Sequence, residues 1–478
     1  MSLSSTEKPA ASQSPTKAPA ASPRFIHAVM CLLGIMLTLI TGLFVFTIEL
    51  HSLMFLCLVF IGVNAYLLGH DYSQIRSWMS EAISRALPAI YIFLLIGMVI
   101  ASFMHSGTIA TLLYYGLELL SPGSFLAVGL LLCSVMSLVT GTSWGTVGTV
   151  GVVLMGIGDT LGIPLPLVAG MIISGATFGD KLSPISDTSN LAAMSAGTSL
   201  YRHIYSMSLT TAPAFLLVLL VFIVMGQTYQ GSSINEKDLQ SMQMALLDNY
   251  HLNPFISLLP LLTMVALSMR RVSAELCMTV SVLVAVIIAI AYQQHAPVQV
   301  LNALWQNSAT NTGLASLDDL LGRGGIYSMA WTLILALMAL ALGGILQGAG
   351  FLTVLLETAI KGLQRKVSLI ASTIAAGIIG NMAMGEAYIS IILNCQLFKS
   401  AYQRRHLDTA VLSRSVEEGS TMTTGLIPWT TAGAFYAATL GVAVVDYAPY
   451  ALFNYFNPLI SIAMAACSVG LLTKSKSD

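Results

Sequence analysis

Apolar runs long enough to cross a bilayer recur from residue 25 to residue 472, and this repetition narrows the fold more than any other feature of the chain. A helix needs about 20 residues to cross roughly 30 Å of hydrocarbon. Clear runs of that kind occupy 25–50, 52–69, 86–104, 124–139, 204–226, 254–269, 274–292, 326–347 and 449–472. Weaker, glycine-interrupted stretches lie between them, at 108–120, 141–158, 163–178, 351–363, 367–379, 386–398 and 428–445. The expectation is an all-α polytopic membrane protein with about a dozen transmembrane segments, some of them broken or re-entrant.

Charge supports the same conclusion. Of 478 residues 56% are hydrophobic and only 9% are charged, whereas a soluble domain carries about 25% charged residues. That is too little charge to cover a water-facing surface of this size, and a lipid-facing surface needs none. The net charge of −1 offers no basic stripe to neutralise phosphates, so no nucleic acid is expected as a partner. Cys31, Cys57, Cys133, Cys277, Cys395 and Cys467 are scattered through apolar runs without a CxxC pair, and are expected to be free buried thiols.

Five regions follow. Residues 1–24 are rich in Ser, Ala, Pro and Thr, which suits a disordered polar tail and not the apolar core of a signal peptide. Residues 25–85 read as a helical hairpin followed by an interfacial helix, in which Trp78, Ala82 and Ile83 alternate with Arg76, Glu81 and Arg85. A first repeat spans 86–226. Two polar loops (227–253 and 296–325) flank a linking transmembrane hairpin within 227–325, and a second repeat spans 326–478. Short loops carrying Arg76, Arg85, Arg202, Arg270, Arg271, Arg365, Lys366, Arg404 and Arg405 alternate with loops poor in basic residues. By the positive-inside rule the basic set is cytoplasmic, and so are both termini.

The two repeats look like copies shifted by about 240 residues. Gly141-Thr-Ser-Trp-Gly145 and Asn381-Met-Ala-Met-Gly385 each precede an apolar helix, and Asp180-Lys-Leu-Ser-Pro184 lines up with Thr424-Gly-Leu-Ile-Pro428. Arg76 and Arg85 precede the first copy on the inside. Asp318, Asp319 and Arg323 precede the second on the outside, so the copies are expected to be inverted. Secondary transporters place their binding site where such repeats meet and their helices break.

Ionisable residues inside membrane segments mark function by default. The densest polar stretch runs from Ser174 to Asn190 and contains Asp180, Lys181, Ser183, Asp187, Thr188 and Asn190, with Gly175, Gly179 and Pro184 to unwind the helix. The second copy adds Asn381, Glu386 and Tyr388 in one break, and Thr421, Thr423, Thr424, Thr430 and Thr431 in the other. Carboxylates, hydroxyls and freed carbonyls suit a hard cation such as Na⁺. A His/Cys cluster for a softer metal is missing from the sequence. A carboxyl in a low-dielectric pocket holds its proton tightly, and a bound cation favours the ionised form, so one site can take either. The expected site comprises Asp180, Asp187 and Glu386, with Thr142, Ser143, Ser183, Thr188, Asn190, Asn381 and Thr424, and Lys181 as a charge partner. Ordinary packing competes for Thr142, Ser143, Thr146 and Thr149. A hydrated loop competes for Asp180 and Asp187. Glu417 and Glu418 are expected in an interfacial salt-bridge cluster with Arg414, and His105 and His203 in structural roles at span ends.

At these residues the chain resembles the NhaC family of Na⁺/H⁺ antiporters. The resemblance is carried by Gly141-Thr-Ser-Trp-Gly-Thr-Val-Gly-Thr, Gly179-Asp-Lys-Leu-Ser-Pro-Ile-Ser-Asp-Thr-Ser-Asn-Leu, Leu412-Ser-Arg-Ser-Val-Glu and Leu426-Ile-Pro-Trp-Thr-Thr-Ala-Gly-Ala. It runs from about Ala86 to Leu472, in order and at family-like spacing. It implies a scaffold and a moving transport unit with re-entrant hairpins, often dimeric, in the inner (cell) membrane. It also implies that Na⁺ and H⁺ are cargo, with no cofactor. Glu386 stands where members of the family carry Asp, one methylene shorter, which bears on selectivity and proton affinity. Relatives on the same scaffold move malate and lactate with Na⁺ and H⁺, so an organic-acid or amino-acid exchanger is the leading alternative, with Lys181 as a partner for a substrate carboxylate. An ion channel is a distant one. A membrane-embedded enzyme has no HExxH, GxSxG or paired-Asp motif to stand on.

Overall fold

A computed structural model describes residues 22–229, 236–308, 312–360 and 365–472. Most of the expected polar tail, residues 1–21, lies outside the described residues, as do Lys474 and Lys476. The described chain is helical, with no strand. Seven of its helices are long and apolar enough to cross a membrane, or nine if each sharply bent pair is one span. The remaining apolar segments are shorter or interrupted pieces, and the interruptions build the site.

The N-terminal helices Phe25–Phe44 and Leu50–Leu67 pack as a hairpin, and the second of them lies on Ala330–Gly348. Helix Tyr72–Arg85 packs on the same element, laying Trp78 against Gly344 and Gly348, where a Cβ would strike the indole or its backbone. The two stretches expected as plain polar loops hold helices: Glu236–Asn249 in one, Pro297–Trp305 and Ala315–Leu321 in the other. Each carries enough apolar residues for a buried side; Leu246, Val300 and Leu317 are buried. Cys467 also departs from expectation, being the one exposed thiol among the described cysteines.

From Leu87 onward one order of elements occurs twice. Leu87–His105, Thr108–Leu119, Pro122–Thr140 and the broken rod Ser143–Thr160 are followed by a hairpin, Leu165–Leu182 with Asp187–Ala196, and by the long helix Leu200–Gln227. Ala330–Gly348, Phe351–Ile360, Lys366–Met384 and Ala387–Arg404 follow the same plan. Their hairpin is Thr409–Gly419 and Thr421–Thr424 with Thr431–Leu440, and Leu452–Ala466 closes the series. Packing repeats residue by residue. A Cβ on Gly175 would strike the carbonyl of Leu130, and one on Gly419 that of Ile374, each residue shifted by 244 positions. Ser137 donates to the Ala176 carbonyl at 2.6 Å, and Asn381 to the Ser420 carbonyl at 2.5 Å, with the same shift.

The shift corrects one sequence pairing. Gly141–Gly145 was aligned with Asn381–Gly385, but the structure sets Gly141 opposite Gly385. Both end a helix in the left-handed region (φ +69° and +66°), which favours a residue without Cβ. Each is followed by an extended residue that caps the next helix: Thr142 (φ −146°, ψ 122°) and Glu386 (φ −148°, ψ 131°). The hairpin turns match too. Ser186 caps Asp187–Ala196 by accepting from the Ser189 N–H, and Thr430 caps Thr431–Leu440 by accepting from the Gly433 N–H.

Candidate functional site

The hairpin of each repeat reaches across to the broken helix of the other. Trp144 stacks on Phe435, with ring centroids 4.9 Å apart, and the Tyr436 hydroxyl lies 3.1 Å from Ser143 Oγ. The Thr431 N–H donates to the Gly385 carbonyl at 2.8 Å, tying the second hairpin to its own break. Side chains from both breaks and both hairpin turns therefore enclose one small chamber of about 60 Å³, room for only a few water molecules. Asp180, Asp187, Glu386, Thr142, Ser143, Thr188, Thr424, Thr431 and Tyr436 line it.

The three carboxylates differ in how they are held. Asp180, 7% exposed, accepts from Ser186 Oγ at 2.7 Å and from Ser143 Oγ at 3.5 Å, and faces Lys181 Nζ at 3.0 Å. Glu386 is an N-cap: one of its oxygens accepts from the Tyr388 and Ile389 N–H groups, the usual way a helix start satisfies its free donors. Asp187 opens the helix Asp187–Ala196 and has no side-chain partner among the described residues. It also lines two larger cavities. One, of about 700 Å³, is bounded by Arg85, Glu275, Gln347, Glu386, Tyr388 and Gln396 among others. The other, of about 400 Å³, runs past Asn190, Tyr201, Ser268 and Arg271. All three spaces meet at Asp187.

Four expected site residues stand outside the chamber lining. Ser183 donates to the Leu138 carbonyl and secures the turn. Asn190 donates to the carbonyls of Pro184 and Ser186 and borders the 400 Å³ cavity. Asn381 bridges Ser420 and Thr423 behind the second break. Lys181 is buried, and its ammonium meets Thr188 Oγ1 at 2.7 Å, Glu417 Oε1 at 3.0 Å and Asp180 Oδ2 at 3.0 Å. An ammonium has three hydrogens, so Lys181 has none left for a substrate carboxylate. Thr146 and Thr149 bond back to their own helix, as packing residues do.

Glu417 and Glu418 are not interfacial; both are fully buried. Adjacent on their helix, they point in different directions and meet different partners. Glu417 joins Lys181 to His203, whose Nε2 is 3.1 Å from Glu417 Oε2 and whose Nδ1 meets Ser413 at 2.8 Å. Glu418 accepts from Thr210 at 2.7 Å and Asn457 at 3.3 Å, and lies 3.8 Å from Arg414. A buried carboxylate requires such partners. His203 and Glu417 were assigned no part in the site by sequence, because a charge pair near Arg414 reads the same at a membrane interface as in a core. Ser186, which holds Asp180, was missed as well, although a serine directly before an acidic first helical residue, Asp187, fits an N-cap.

The acids and hydroxyls of the two repeats are interchanged. Under the shift of 244, Asp180 corresponds to Thr424, Asp187 to Thr431 and Glu386 to Thr142, and all six line the chamber. Each related pair supplies one carboxylate and one hydroxyl.

The chain matches the Na⁺/H⁺ antiporter family over residues 16–204 and again over 175–469. It is 37% identical over 444 residues to the Na⁺/H⁺ antiporter NhaC of Alkalihalophilus pseudofirmus, covering 92% of this chain and 96% of that protein. It is 35% identical to the Na⁺/H⁺ antiporter NhaC of Bacillus subtilis, over 92% of this chain and 97% of that one. A malate-2H⁺/Na⁺-lactate antiporter of Bacillus subtilis is 33% identical, over 89% of this chain and 91% of its own length.

Proposed function

This chain belongs to the Na⁺/H⁺ antiporter family, and we propose that it exchanges Na⁺ for H⁺ across the cell membrane through the chamber around Asp187. The observation that carries the proposal is the position of Asp187. It is the chamber carboxylate without a side-chain partner among the described residues, and it stands where all three spaces converge. A proton or a Na⁺ ion at that carboxylate excludes the other, and mutual exclusion at one site is what couples their movements. Thr142, Thr188, Thr424 and Thr431 are the nearby hydroxyls that would complete an oxygen shell around a hard cation. Asp180 is paired with Lys181, and Glu386 caps the helix after the second break.

The 700 and 400 Å³ cavities have Arg85 and Arg271 among their lining residues, which the distribution of basic residues puts on the cytoplasmic side. The conformation is accordingly inward-open, and the inverted repeats would exchange shapes to open the chamber outward. Both termini are then cytoplasmic.

The test uses everted membrane vesicles with an imposed pH gradient and a pH-sensitive dye. Proton movement on adding Na⁺, without any organic acid, is the expected result. A response that appears only with malate or lactate would replace this function by the substrate-coupled exchange named for the malate/lactate relative.

A further inference from the structure

The 700 Å³ cavity contains a carboxylate that belongs to neither repeat. Glu275 opens the linking helix Ala274–Ala291 and faces the cavity together with Asp187 and Glu386. Its side chain has no hydrogen bond or ion pair among the described residues. The cationic group on the same wall is Arg85, and that guanidinium is paired with Glu81 one turn earlier on its own helix, at 2.5 Å. Lys181 is closed off behind Asp180, Thr188 and Glu417. Three carboxylates therefore face a space whose nearest cation is already paired. The rest of the wall supplies two amides, Gln347 and Gln396, the phenol of Tyr388, and aliphatic side chains.

A concave surface of one charge sign with low-dielectric walls concentrates counter-ions and speeds their arrival. From this placement we infer that the cavity is a cation-selecting vestibule, in which Glu275 draws Na⁺ toward Asp187 and turns carboxylate-bearing solutes away. Glu275 is then a specificity residue supplied by the linking hairpin, outside the repeats that move the ion. The inference rests on the antiport function proposed above, but the acidity of the vestibule can be measured without transport.

The vestibule wall is probed by Gln396→Cys, in a chain whose exposed Cys467, and Cys277 buried on the wall of the 400 Å³ cavity, are replaced by serine; the remaining cysteines are buried as well. A cationic and an anionic methanethiosulfonate reagent are compared for their rates at that thiol. The cationic reagent should react several-fold faster, and Glu275→Gln should narrow the ratio. In vesicles, Glu275→Gln should raise the half-saturating Na⁺ concentration several-fold with little change in maximal rate, and added inert salt should shrink the difference. Glu275→Asp should behave as the parent, and Glu275→Arg should exceed the Gln variant. Equal reagent rates, or a ratio indifferent to Glu275, would overturn the vestibule even with exchange intact. A selective ratio that depends on Glu275, in a protein that moves no protons on Na⁺, would leave the vestibule standing and remove the antiport function alone.

Discussion

Lys181 Nζ and Glu417 Oε1 lie 3.0 Å apart, the first on the hairpin of one repeat and the second on the hairpin of the other, both withdrawn from water. This contact binds the two halves at the level of the chamber, and His203 extends it to the helix Leu200–Gln227. Removing one partner of a buried pair strands the other charge and costs about 3–5 kcal/mol. Glu417→Gln should therefore lower the unfolding midpoint of the purified protein strongly. Lys181→Met combined with Glu417→Gln should lose less than the two single changes together. A strictly additive double variant in the same thermal assay would show that the two groups are not coupled.

Asp187→Asn keeps the size of the side chain and removes its charge. Sodium-driven proton movement in everted vesicles should fall to background, with membrane yield and melting behaviour unchanged. Asp187→Glu should retain part of the activity with a shifted Na⁺ dependence. Normal exchange by the Asn variant would remove Asp187 as the carrier.

Glu386→Gln separates two roles of one side chain. The amide oxygen can still accept from the Tyr388 and Ile389 N–H groups, so the cap should survive while the negative charge is lost. Glu386→Ala loses both, and an N-cap deletion costs about 1 kcal/mol. The expected pattern is altered Na⁺ dependence in both variants but a lowered melting temperature in the Ala variant alone.

Gly385→Ala places a Cβ at φ +66° and against the side chain of Ala339. The backbone term alone is about 1–2 kcal/mol. Melting in detergent should fall clearly, and exchange with it, because the break fixes where Glu386 sits. A Gly385→Ala protein as stable as the parent would mean that this turn adopts another conformation.

His295 sits in the loop after the linking hairpin, with its Nδ1 3.2 Å from the Nδ1 of His105. Burial first, and then the neighbouring His105, hold its imidazole below the ordinary 6.5. The folded protein therefore binds fewer protons here than the unfolded chain, and stability rises with pH. The contribution is complete above the ordinary value and is lost as pH falls through 6.5 toward the lower folded value. Melting temperature should drop below about pH 6.5, and His295→Gln should flatten part of that slope.

Much of this architecture could be read from sequence because hydrocarbon imposes a strict length on its helices and confines charge to particular places. The runs at 25–50 and 52–69 became Phe25–Phe44 and Leu50–Leu67, since no Asp, Glu, Lys or Arg falls within either helix. The two breaks were legible from Gly141 and Gly385, yet their pairing slipped by four residues. Glycine marks where a helix stops, but only the handedness of its backbone tells which glycine stops it. Asp180, Asp187 and Glu386 were found as acids in apolar surroundings, and the structure gathers them into one chamber. Glu417, buried behind Lys181, and Glu275, on the wall of the 700 Å³ cavity, were not legible in that way. Glu417 meets Lys181 and His203 from sequence separations of 236 and 214, and Glu275 reaches its cavity wall from a linking helix outside both repeats; no local pattern records either placement.

The exchange of acids and hydroxyls between the repeats has a thermodynamic consequence. Asp180 with Thr424, Asp187 with Thr431 and Thr142 with Glu386 each place one formal charge in a symmetry-related pair. Under the proposed antiport, in which the repeats would trade conformations, every pair would keep its acid and its hydroxyl while its geometry is reflected. An ion in the chamber then faces the same number of negative groups whichever side is open. The acids themselves would then add no preference for loading or unloading on either face. The protein would turn as readily backward as forward, with the concentrations of sodium and protons on the two sides deciding which.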